Sequence, residues 1–257
     1  MNKLLIKELI FRIKPTLMST RSYIRANPHM SLAILLFLLG IAFLSTSFSM
    51  IAGALFGAGA SLLGSWITEL NNRRSREEDR KQHESNARRY FAPELHRVIE
   101  RILYIHSRSI SNFTCASVNY LCPPAKKSIL PNDTKEDFIP YLPILYPGVP
   151  QFKDLPGDDA ISLIEFYDSL YALDTYVKSW WNREGQLSVN IFNMIMTHAD
   201  KSLSLAEICI QKFELERIYL PQYQSWGTLT SRIENSRNNA KKASELHLTR
   251  SVTQNNS

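Results

Sequence analysis

Residues 31–68 read SLAILLFLLGIAFLSTSFSMIAGALFGAGASLLGSWIT, 38 residues without a formal charge. A helix rises about 1.5 Å per residue and a bilayer core is about 30 Å thick, so one span needs about 20 residues. As one helix this run would reach roughly 57 Å, beyond what tilt absorbs. Two antiparallel spans fit better, near residues 29–45 and 48–69. Ser45, Thr46 and Ser47 form the expected turn, their hydroxyls serving backbone groups at the helix ends. Pro28 suits the first turn of the first span.

The flanking charges support the same hairpin. Lys3, Lys7, Arg12, Lys14, Arg21 and Arg25 precede the run; Arg73, Arg74, Arg76, Arg80, Lys81, Arg88 and Arg89 follow it. Lysine and arginine beside span ends mark the cytoplasmic side, so both flanks belong there, which requires an even number of spans. The expected location is the cell (inner) membrane, multi-pass, with both termini cytoplasmic. A cleaved signal peptide is rejected, because its apolar core is 7–15 residues and its polar leader short.

The second span repeats small residues. Gly53, Gly57 and Ser61 recur every fourth position, with Ala60 and Gly64 on the adjoining ridge. Such spacing lets helix backbones approach closely. It either seats the first span within the hairpin or joins copies of the chain into a homo-oligomer.

Residues 1–28 form a basic leader. Leu5, Ile6, Leu9, Ile10 and Ile13 gather on one side and Lys3, Lys7 and Lys14 elsewhere, the pattern of an amphipathic helix on a lipid surface. Together with Arg12, Arg73, Arg74 and Arg76 these lysines point to a bilayer with anionic headgroups as a partner. The net charge of +6 could also serve nucleic acid, but interspersed acids and missing aromatics in the basic stretch disfavour that.

Beyond the membrane the reading is mainly helical. Residues 70–90 make a charged, solvated linker helix, and residues 91–221 a cytoplasmic α-helical domain. Phe91, Leu95, Val98, Ile99, Ile102 and Ile105 repeat at helical steps, with Pro93 in the first turn and His96, Glu100 and His106 on the polar face. Eight of the twelve prolines fall in residues 111–157, which excludes long helix or central strand there. That segment is too apolar for a free linker and is expected to be an ordered loop across the helices, the first place to seek a cytoplasmic protein partner.

Asp158 or Asp159 caps a helix to about Trp181, with Ile161, Ile164, Tyr167, Leu170, Tyr171, Tyr176, Val177 and Trp180 inward. Gly185 breaks the chain, and a second helix over 187–217, ended by Pro221, packs antiparallel on the first. Residues 222–257 read as a polar, partly disordered tail.

The chemistry is sparse. Cys115, Cys122 and Cys209 are read as free thiols in a reducing compartment. Asn112 and Asn132 open glycosylation triplets that matter only outside the cytoplasm. His96 and Glu100 lack further ligands at metal spacing. Gly57-Ala-Gly59 fails as a dinucleotide loop because it lacks a preceding strand and lies at bilayer depth. No catalytic, cofactor or metal residues are assigned. The fold class is all-α: a two-span hairpin followed by a cytoplasmic helical domain with a long Pro-rich ordered loop. Three roles compete: a non-enzymatic sensor, adaptor or assembly factor; an oligomerising effector that perturbs or permeates the bilayer; and a membrane-bound enzyme.

Overall fold

A computed structural model describes residues 28–44, 49–121, 135–146, 148–184, 189–221 and 227–255. These residues are helices and connecting segments, with no strand among them. The leader, with Lys3, Lys7, Arg12 and Lys14, and the Ser45–Ser47 turn lie outside the described residues, as do Cys122, Asn132 and Gly185. The chain divides into two compact units, Met1–Arg80 and Lys81–Ser257.

In the first unit, α1 spans Pro28–Leu44 and α2 begins at Ser49; α2 ends only at Leu121 in the second unit. Among the described residues, α2 alone is long and apolar enough to cross a membrane, and 11% of its most apolar stretch is buried inside the protein. A core helix of a water-soluble fold would bury most of that surface. α1 is apolar but has 17 residues, a rise of about 25 Å against the roughly 30 Å of a bilayer core. One full-length apolar helix is therefore established, not two.

α1 and α2 pack antiparallel. A Cβ built on Gly40 would lie 3.1 Å from the Phe56 ring, and one on Gly59 would lie 3.0 Å from the Phe37 ring. Phe37 and Phe56 meet at 5.8 Å between centroids. Ala33 and Ala52 are fully buried.

The second unit is a four-helix bundle of α2 from residue 81 onward, α3 (Gly157–Glu184), α4 (Val189–Lys212) and α6 (Leu229–Asn255), with a one-turn α5 (Leu215–Ile218) before α6. The expected ridge on α2 forms the centre: Phe91, Leu95, Val98, Ile99, Ile102 and Ile105 are all fully buried. The ridge continues through Phe113 and Ala116, so residues 111–121 are helix and not loop. The first proline after them is Pro123, and a proline constrains only its immediate predecessor. Pro93 sits well inside the helix, not in a first turn. It lies on the exposed side, where water can take up the Arg89 carbonyl that lost its donor.

α3 and α4 run antiparallel, as their cross-contacts show: Ser169 Oγ to Ser202 Oγ at 2.9 Å, and Lys212 Nζ to Ser162 Oγ at 2.9 Å. The inward face of α4 buries Phe192, Ile195, Met196, Ala199, Leu203, Ala206 and Ile210, with Phe213 buried just past its end. On α3 the stripe is rotated from the expectation. Leu163, Phe166, Tyr167, Leu170, Leu173 and Val177 are buried, whereas Ile161 and Tyr171 are exposed. The 3.6-residue period through Tyr167 and Leu170 leaves those two on the outer side. Asp158 and Asp159 lie inside the first turn, not before it. α4 stops at Lys212 instead of continuing to 217, because Glu214 takes a left-handed conformation (φ 50°) that no glycine announces.

The largest departure is the C-terminal region. Residues 229–255 form a 27-residue helix, not a tail. Leu229, Ile233, Ser236 and Ala243 are buried against the bundle. Its apolar face is too thin to be read from hydrophobic period, since most of its docking is polar.

Candidate functional site

Two constructions in the second unit join polar groups across elements. The first is the proline-rich strap, residues 135–156. It runs antiparallel to α2, in register with a descending set of α2 residues. Tyr104 donates to Asp137 Oδ1 at 3.4 Å; Arg101 donates from Nε to the Ile139 carbonyl at 3.0 Å and from Nη2 to the Glu136 carbonyl. Arg97 and Arg101 cover the Tyr141 ring at 5.4 and 5.1 Å. Glu94 then receives the backbone N–H groups of Ile144 and Leu145 at 2.8 and 3.1 Å. Phe152 packs edge-on against Phe91.

This return path has a topological cause. α2 and α3 run parallel, because Arg88 pairs with Asp159 at 2.7 Å and Glu94 accepts from Tyr167 at 2.9 Å. The chain must travel back along α2 before α3 can start. The described part of that return holds two short 3₁₀ turns, Lys135–Phe138 and Pro150–Asp154, joined by residues whose prolines rule out a continuous helix. Its backbone donors are met by side chains of α2 such as Glu94, which prolines and coil geometry leave without ladder partners.

The second construction is a polar seam holding α6 parallel to α2. Arg232 makes a two-point pair with Glu100, the Nη2–Oε2 arm at 2.6 Å. His106 Nδ1 lies 2.7 Å from Ser236 Oγ, and His247 Nδ1 lies 2.7 Å from Ser117 Oγ. On the α4 side, Arg237 reaches Asp200 at 2.6 Å, Glu207 at 2.8 Å and Ser204 at 2.6 Å. Two residues before α6, Gly227 takes a left-handed φ of 71° that strains any residue with a side chain, and a Cβ there would meet the Ser231 hydroxyl. Thr228 Oγ1 accepts from the Ser231 N–H as an N-cap, and Glu216 of α5 accepts from the Thr230 N–H at 2.8 Å.

Two cavities open along this seam. One of about 330 Å³ is lined by His96, Glu100, Tyr219, Pro221, Thr228 and Arg232. There His96 stacks on Tyr219 at 4.3 Å, and partial burial lowers its pKa. The other, of about 270 Å³, lies between α4 and α6 with His106 at its floor. His106 is fully buried, not on the polar face that its spacing suggested. Burial pulls its pKa down to about 4, with Arg237 adding to the effect and Asp200 opposing it, so the ring is neutral at physiological pH. Among the described residues its Nε2 has no hydrogen-bond partner.

The remaining sequence-derived positions fall elsewhere. Gly53, Gly57, Ala60, Ser61 and Gly64 are all exposed, and a Cβ on Gly53, Gly57 or Gly64 would meet nothing within 4 Å. α1 uses the neighbouring ridge of Ala52 and Gly59 instead, so the stripe does not seat the first apolar helix. Arg73, Arg74 and Arg76 are exposed on α2, with Arg73 paired to Glu69 at 2.7 Å. Asn112 is buried in the bundle, which leaves no room for a glycan there. Cys115 and Cys209 are free thiols, and burial pushes Cys209 up to about 12, far from reactive. Among the described residues, no group of three or more His, Cys, Asp or Glu could hold a metal ion. Neither family models, characterised proteins nor solved structures match the chain.

Proposed function

We propose that the chain is a membrane-anchored, non-enzymatic interaction protein, a sensor, adaptor or assembly factor, whose helical bundle works on the cytoplasmic side. Its anchor is a two-span hairpin of α1 and the first part of α2, with both termini cytoplasmic. The observation that carries this reading is the composition of α2: one helix, Ser49–Leu121, holds both a bilayer-length apolar stretch and the central ridge of the bundle. The basic residues Arg73, Arg74 and Arg76 just past the apolar stretch are exposed, where anionic headgroups would meet them. The recognition surface is the strap. It presents Tyr141 and Ile144 at 47% and 75% exposure while Glu94 and Arg101 hold its backbone and Arg97 lies over the Tyr141 ring, a rigid platform of the kind binding surfaces use.

Cross-linking and recovery of the full chain from native membranes tests the reading. One specific partner should be captured, and Tyr141→Ala with Ile144→Ala should lose it. Recovery of no partner at native expression counts against it. Topology reporters fused at either end should both report cytoplasm, and reporters on opposite faces would overturn the hairpin.

A second reading draws on the open stripe of Gly53, Gly57, Ser61 and Gly64: an effector whose copies associate in the bilayer and perturb it. Dye entry on induced expression decides this. Permeability that is unchanged on expression, and the same with Gly57→Leu, removes it.

A further inference from the structure

We propose that α6 is an acid-released latch: protonation of His106 undocks this helix from α2 and α4, while α2, α3 and α4 keep their own packing. The placement of the ring carries the proposal. His106 has no accessible surface and lies where α6 covers α2, with its Nδ1 2.7 Å from Ser236 Oγ of α6. A proton from solvent reaches the ring only when α6 lifts away.

The docked seam suits a neutral ring. The imidazolium carries N–H groups on both nitrogens, and among the described residues Nε2 has no partner to accept from it. The charged groups nearby do not supply one. Asp200 of α4 is held by Arg237 of α6 at 2.6 Å, Arg237 also reaches Glu207 of α4 at 2.8 Å, and Lys241 of α6 adds a second cation. A buried cation with an unmet donor is unfavourable, and water offsets that cost once the ring is uncovered. The pKa of about 4, against 6.5 for a free ring, agrees with this placement.

α6 is also the bundle helix with the least apolar anchorage. Its buried apolar residues are Leu229, Ile233 and Ala243, and much of the remaining contact is ion pairs and hydroxyls. α3 and α4 instead bury Phe166, Leu170, Ile195 and Leu203 in one core with the α2 ridge. Elements with few buried apolar contacts open locally at the lowest free energies. Undocking lays bare Phe113 of α2, which packs against His247 at 5.2 Å, and Met196 of α4.

Hydrogen exchange of the full chain in detergent micelles, resolved by segment and corrected for the intrinsic pH dependence of amide exchange, reads this opening even when the open state is rare. Between pH 7.5 and 5.5, ring pKa values of 6.5 undocked and about 4 docked make α6 open about tenfold more often. Protection across residues 229–243 should fall by that factor and recover on return to pH 7.5, with protection of α3 and α4 unchanged. In His106→Gln, whose amide stays neutral, the fall should be largely lost; the remainder belongs to His96, whose partial burial also lowers its pKa. Ile233→Asp should erase α6 protection at both pH values and leave that of α3 and α4 in place. Unchanged α6 protection at pH 5.5, or an undiminished fall in His106→Gln, would overturn the latch. So would loss of α3 and α4 protection together with that of α6, in the native chain or in Ile233→Asp. The latch needs neither the anchor nor a partner on the strap, so its failure leaves the anchored-adaptor reading standing, and the reverse also holds.

Discussion

The Tyr167 hydroxyl donates to Glu94 Oε1 at 2.9 Å, and both side chains are buried between α2, α3 and the proline-rich strap. The other carboxylate oxygen of Glu94 accepts two strap N–H groups. Burial and the adjacent carboxylate push the Tyr167 phenol far above its usual range, so it stays a donor at any working pH. One carboxylate thus fastens a segment whose own backbone pairing is confined to short 3₁₀ turns.

Glu94→Ala should therefore destabilise the bundle by about 2–4 kcal/mol, since it strands two strap N–H groups and a buried phenol at once. Tyr167→Phe removes one donor and should cost about 1 kcal/mol. Urea unfolding of the full chain in detergent measures both. Hydrogen exchange at Ile144 and Leu145 should accelerate in Glu94→Ala more than in Tyr167→Phe. Equal exchange in the two variants would deny the strap its lock.

Acid should weaken the bundle through His106. Its folded pKa of about 4 lies below the 6.5 of a free histidine, so the unfolded chain takes up the proton first. The stabilisation is complete above about pH 6.5 and is lost as pH falls towards 4, about 3 kcal/mol in all. The groups facing the ring are Ser236, Arg237 and Lys241 of α6 and Asp200 of α4. Unfolding midpoints should drop between neutral pH and pH 5 in the native chain, with a shallower slope in His106→Gln. Identical slopes would show that the proton goes elsewhere.

Ile233 is the fully buried apolar anchor of α6. Ile233→Ala should destabilise by about 2–4 kcal/mol through lost burial and a residual cavity. Ile233→Asp should free the helix, exposing the Arg232 and Arg237 regions to trypsin at low protease. Arg232→Met should have a smaller effect, near 1 kcal/mol, because its pair with Glu100 is about one-third exposed.

Gly59 and Gly57 should behave oppositely. A side chain at Gly59 collides with Phe37 and approaches the Ala33 carbonyl, whereas one at Gly57 meets nothing. In a chain without native cysteines, a disulfide placed by Gly40→Cys and Phe56→Cys reports α1–α2 packing. Gly59→Leu should slow its formation about fivefold or more, the factor 1 kcal/mol makes. Gly57→Leu should leave it unchanged. Equal slowing by both would put the stripe inside the α1–α2 interface after all.

What could be read from the chain itself was whatever repeats. The run at 31–68 is legible from its length without charge, and the α2 ridge from Phe91 to Ile105 and the inner face of α4 are periodic patterns of apolar residues, which local spacing reveals because one face meets one environment. The strap was legible as ordered, since prolines forbid helix while Tyr141, Leu142 and Ile144 resist solvation. Its direction was not, because it follows from α2 and α3 being parallel, a fact of tertiary packing.

The rest was decided by partners distant in sequence. α6 looked like a tail because arginines and serines hold it. A polar residue reads as surface until Glu100, His106 and Asp200 are seen to face it across more than thirty positions of chain. His106 became a buried, half-satisfied ring for the same reason. The small-residue stripe shows the converse: spacing marked Gly53, Gly57 and Gly64 as a packing surface, but only the rotation of α2 against α1 determined that Gly59 would be used and the stripe left open. Hydrophobic period is a local property of the chain, whereas pairing between polar groups exists only once the fold has brought them together.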